Sequence, residues 1–243
     1  MEDEVSSVSG SSTLKRRQDL FLDGIEVSSR AGLTAYQRLW AEIIAYSQSC
    51  EESSERVNTL RHLILLDAWS LVDVINRLRV LVDNTPGLKK NAPVKSFLNT
   101  TQEVIKLRNF VQHMESEVIE VAQTGFPIWG SLSWIWADIE RPGKIAAILL
   151  IPGRLAVSAG HPIVNPAGKA INPPVDWVTL TAGGVSVNLS SVVVSLALFK
   201  DRYERALEHA IACAKSHVKV PLPIVLETGR DSTPPNKTPA PDG

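Results

Sequence analysis

Cysteine is scarce in this chain. Cys50 and Cys213 are its two copies, and they lie far apart in stretches that otherwise read as helix. A disulfide and a cysteine-based metal site are thereby disfavoured, and both residues read as small apolar side chains in a reducing compartment. Among the five histidines and two cysteines, Cys213 and His217 lie four apart on the closing helix, a pair that by itself lacks the further ligands a metal centre needs. No glycine-rich phosphate loop occurs: Ala182-Gly183-Gly184 matches neither the dinucleotide nor the P-loop spacing and reads as a turn. No Gly-x-Ser-x-Gly elbow is present either, so neither a metal nor a cofactor is expected, and serine hydrolysis is disfavoured. A basic excess is also missing, with 25 Lys and Arg against 26 Asp and Glu. That balance argues against a protein that coats nucleic acid and leaves room for a local basic site. The longest apolar run, 145–151, is strand-sized, and no apolar run follows the N-terminal basic cluster. No membrane span or secretory signal is expected, and the chain reads as soluble and cytoplasmic.

What is present is enough apolar content, 44% of 243 residues, to bury a sizeable core. Residues 1–12 are acidic and Ser/Gly-rich and predict a disordered tail, as does the Pro-rich stretch 221–243. Three helical patterns fill the first half, with a further helix admissible over 14–30. In 33–50, Tyr36, Leu39, Trp40, Ile43, Ile44 and Ser47 share a face. Residues 53–87 begin with serine caps and are apolar nearly all round between Leu63 and Ile75, as a central bundle helix would be. The third pattern runs from Pro93 to about Gln123, with Val104, Leu107, Val111, Met114, Val118 and Val121 in heptad-like spacing. The period then changes. Residues 128–157 predict a hairpin turning at Arg141-Pro142-Gly143, 161–176 a proline-rich loop with room for an edge strand, and 176–189 a second hairpin. A closing helix over 190–217 follows, capped by Ser190 or Ser191. This order predicts one α+β domain over 13–220: helices in 13–123, a four-stranded antiparallel β-meander inserted at 128–189, then the last long helix.

One short stretch carries a chemical pattern. Arg108-Asn109-Phe110-Val111-Gln112-His113 resembles the signature of the HEPN superfamily, helical bundles in which an arginine, a following polar residue and a histidine lie on one helix. Arg56–His62 and Arg202–His209 have comparable spacing but are followed by Val57 and Tyr203, not asparagine. The resemblance covers the motif and its helical context, and leaves the strands without a counterpart. It implies a HEPN-like bundle, a homodimer in which two motif helices face each other, and RNA as partner. The implied activity is metal-independent ribonuclease chemistry of the sort found in prokaryotic defence and toxin–antitoxin systems. Arg108 would neutralise phosphate, His113 would move the proton and Asn109 would orient it. At about 100° per residue, the apolar stripe of this helix points one way, Asn109 and His113 point nearly opposite, and Arg108 sits on the flank.

Other features have plainer readings. Asp67 falls on the apolar stripe of its helix and needs an arginine or tyrosine partner from another helix. Asp73 and Arg77, four apart, read as a surface ion pair, and His62 as a solvated side chain. Trp134 and Trp136 share one strand face. If exposed, they would supply the rival function, a non-catalytic module that binds a protein partner through the helical face and the tryptophan strands.

Overall fold

The structure is a computed structural model that describes residues 5–49, 54–113, 129–138, 143, 145–152 and 171–215. Two long helices, α1 (Val5–Ser49) and α2 (Glu55–Asn84), run antiparallel, as the pairing of Arg38 with Asp67 and of Tyr46 with Arg61 shows. α1 takes in residues 5–12 of the expected tail as well as both helical stretches read between 14 and 50. Ser54 caps α2 by accepting from Val57 N at 3.3 Å, which answers one of the amides that a helix start leaves unpaired.

The third helical pattern is two helices, not one. α3 (Ala92–Thr100) and α4 (Gln102–Gln112) meet at Thr101, which is fully buried. The cause lies on α2. Arg79 donates through Nη1 both to the Leu98 carbonyl and to the Thr101 hydroxyl, while that hydroxyl donates to Phe97 O at 2.7 Å. With the carbonyls at the end of α3 already engaged, the chain turns there. Met114, Val118 and Val121, on which the longer helix partly rested, lie outside the described residues.

Four antiparallel strands follow: β1 (Ser131–Ala137), β2 (Ile145–Leu150), β3 (Val175–Ala182) and β4 (Val185–Asn188). Both expected hairpins form, but the sheet order is β2-β1-β3-β4, so the predicted meander is corrected. The first hairpin places β2 on one side of β1. The long connection to β3 then lets that strand pair with the other side, leaving the buried β1 between them. A bulge between Ser133 and Ile135 frees the amide of Val178, which donates to Ser190 Oγ at 3.1 Å. α5 (Leu189–Lys215) leaves β4 directly. Its cap is Asn188, whose Oδ1 accepts from Ser191 N at 2.8 Å, so neither serine has the capping role expected of it.

α1 lies between α2 and α5. A side chain at Gly32 would meet Leu196 of α5 at 2.9 Å, so glycine permits this close approach. Phe97 stacks on Phe199 with centroids 4.8 Å apart, joining α3 to α5. Trp134 closes the other end: its indole donates to Ser47 Oγ at 2.9 Å and its ring meets Tyr46 edge-on. Trp134 and Trp136 are 1% and 8% exposed, so they form core and offer no docking surface. The α+β class holds, and no helix among the described residues is long and apolar enough to cross a membrane.

Candidate functional site

α4 is held from two sides. Val104, Leu107 and Phe110 recur at helical spacing and are buried. The Phe110 ring lies over the β3–β4 turn at Gly183, where φ is +54°, and a side chain there would collide with it. This packing sets which way the motif residues leave the helix.

Arg108 lies on the flank towards α2. Its Nη1 donates to Gln112 Oε1 at 2.5 Å, and its Nε lies 3.5 Å from Asp73 Oδ1. Asp73 therefore pairs across to α4, not with Arg77 as its spacing suggested. Asn109 and His113 are exposed, one turn apart, and the His113 amide closes the helix on Asn109 O at 3.0 Å. Arg108 and His113, five residues apart, leave the axis about 140° from each other. One chain thus presents an oriented guanidinium on one flank and an exposed imidazole on another. The Asp73–Arg108 pair is long and its side chains are 60% and 31% exposed, so solvent screens it and an anion can replace the carboxylate.

No protein-family model, curated protein or solved structure matches the chain.

A second polar cluster sits between α1 and α2; its Asp67 was anticipated from the sequence and its Glu42 was not. Asp67 is buried and meets Arg38 in a forked pair, with Nε 3.0 Å from Oδ2 and Nη2 2.5 Å from Oδ1. The need of Asp67 for an arginine from another helix is thus met. Glu42, one turn along α1 from Arg38, has its Oε2 buried without a hydrogen-bond partner. Burial first, and the nearby Asp67 charge second, push its carboxyl up to about 7, against the opposing pull of Arg38. A glutamate four residues before the inward-facing Tyr46 was the available signal, but its carboxylate neighbour comes from another helix. Tyr36 is also pushed up, mainly by burial, although its hydroxyl donates to Ser190 Oγ at 3.0 Å. Among the described residues no group of three or more potential metal ligands comes together.

Proposed function

We propose that the protein is a HEPN-like RNA-interacting protein whose α4 motif forms a metal-independent ribonuclease site, completed by the same motif of a second copy. The reading is carried by one observation: Asn109 and His113 share an exposed face while Arg108 is held at the adjoining flank by a displaceable pair with Asp73. Because the two key side chains diverge within one chain, Arg108 of one copy and His113 of the other would meet at one phosphate. In that reaction the ribose 2′-oxygen forms a bond to the adjacent phosphorus and the bond to the 5′-oxygen breaks. His113 takes the 2′-hydroxyl proton and a proton returns to the 5′-oxygen, leaving a cyclic phosphate and a free 5′-hydroxyl. Arg108 neutralises the phosphate oxygens through its planar fork. A role in prokaryotic defence or toxin–antitoxin systems is consistent with such chemistry.

The test is cleavage of a mixed RNA pool in EDTA. The wild-type protein is expected to yield cyclic-phosphate ends, and His113→Ala to slow cleavage by about 100-fold or more, the usual scale of general acid–base assistance. An inactive wild type, or a variant of equal activity, overturns the proposal.

A second reading, the non-catalytic protein-interaction module, keeps one supporting observation. Leu66 and Trp129 are 60% and 62% exposed on neighbouring segments, tied by the Trp69 indole donating to the Trp129 carbonyl at 3.3 Å. This apolar face belongs to α2 and the entry to β1, not to the tryptophan strand.

A further inference from the structure

A cleft opens where the N-terminal half of α2 passes the end of β2. It encloses about 440 Å³ and is lined by Asn58, Arg61, His62 and Leu65 of α2 and by Leu150, Ile151 and Pro152 at the end of β2. That volume is in the range of small-molecule sites, which join an apolar wall to a few placed polar groups. The polar wall has one sign. Arg61 supplies a cation, His62 a ring that can donate, and Asn58 an amide, while among the described residues no carboxylate contributes to the lining. Arg61 is already oriented: its Nε donates to the Tyr46 hydroxyl at 3.3 Å and its guanidinium lies 5.8 Å from the centroid of that ring. Among the described residues its terminal nitrogens remain available and His62 makes no hydrogen bond or ion pair. A preset guanidinium fork with spare donors matches a carboxylate or phosphate head. The rest of the lining is aliphatic, and among the described residues it has no aromatic face on which a nucleobase could stack, so the body of the ligand is apolar.

We propose that this cleft binds a small amphiphilic anion, a carboxylate or phosphate head on an aliphatic body, with Arg61 and His62 on the head and Leu65 and Leu150 against the body. The site is separate from the α4 motif and does not rest on the ribonuclease reading. Isothermal titration of the full chain with hexanoate, hexyl phosphate and 1-hexanol tests it. Saturable binding of at least one anion, with 1-hexanol at least about tenfold weaker, is expected, since a charge-assisted hydrogen bond contributes about 1.5–3 kcal/mol. The preferred anion identifies the head group. Arg61→Gln should weaken binding by about tenfold or more on the same ground. Leu65→Trp, which fills the cleft while keeping its charges, should abolish binding, and Arg108→Gln should leave it unchanged. Circular dichroism melts confirm that each variant is folded. No saturable binding of either anion, equal binding of 1-hexanol, retention in folded Arg61→Gln, or loss in folded Arg108→Gln overturns the proposal.

Discussion

Glu42 links a single carboxyl to the stability of the fold. In the unfolded chain its pKa is the ordinary one, 4.5, and in the fold burial raises it to about 7. Between those values the folded state holds the proton more tightly. The contribution is therefore fully present below the unfolded value and is lost as pH rises through the folded one, because ionised Glu42 must then sit beside Asp67 with Oε2 unpaired. Glu42→Gln keeps the shape and removes the titration. Urea unfolding of the wild type should show stability falling as pH rises from about 5 to 8, with a smaller fall in the variant. An equal pH dependence in both proteins would show that the window belongs to other groups. The motif residues illustrate another limit of reading single positions. That Asn109 and His113 face away from the core follows from counting along the helix. The engagement of Arg108 by Asp73 could not be read, because its partner lies on α2, far earlier in the chain.

Among the elements, helix content was more legible than helix ends. The hydrophobic period predicts α2 and α5 to within a few residues, since each buries a stripe against neighbours and starts at a local cap. The junction between α3 and α4 breaks an otherwise continuous pattern because Arg79, from another helix, bonds to Leu98 and Thr101. Burial lowers the pKa of this guanidinium and leaves its Nε without a partner, so the bonds from Nη1 carry its place in the core. Arg79→Met removes those donors, leaving the part-buried Leu98 carbonyl without them and the Thr101 hydroxyl with its bond to Phe97 O alone, which should destabilise the protein by roughly 1–3 kcal/mol. A shift of the urea midpoint at unchanged slope checks this, and an unshifted midpoint would mean that the junction holds without Arg79. Strand existence was legible in the same way, through alternating and β-branched segments beside turn residues. Strand order was not, since pairing β3 with β1 joins segments far apart in the chain.

For the whole molecule, the proposed chemistry depends on association. If Arg108 and His113 act across a twofold axis, neither Arg108→Ala nor His113→Ala cleaves RNA alone. An equimolar mixture of the two, after exchange of subunits, should regain about a quarter of wild-type activity, because half of the dimers are mixed and each mixed dimer keeps one intact site of two. Sedimentation of the same samples reports the dimer. Absence of recovery in a mixture shown to exchange subunits would place any site within one chain. Composition and periodicity were enough to establish a helical protein with an antiparallel sheet set before its last helix, and to mark one short arginine–asparagine–histidine stretch on a polar helix face. Those properties are local: they depend on neighbours within a turn of helix or along one strand. The tertiary structure alone decided the sheet order, the break at Thr101, the burial of Trp134 and Trp136, the partner of Arg108, and the meeting of α2 with β2 that forms the cleft around Arg61. Each of these is settled by contacts between segments distant in the chain, where packing and the pairing of buried polar groups outweigh local preference.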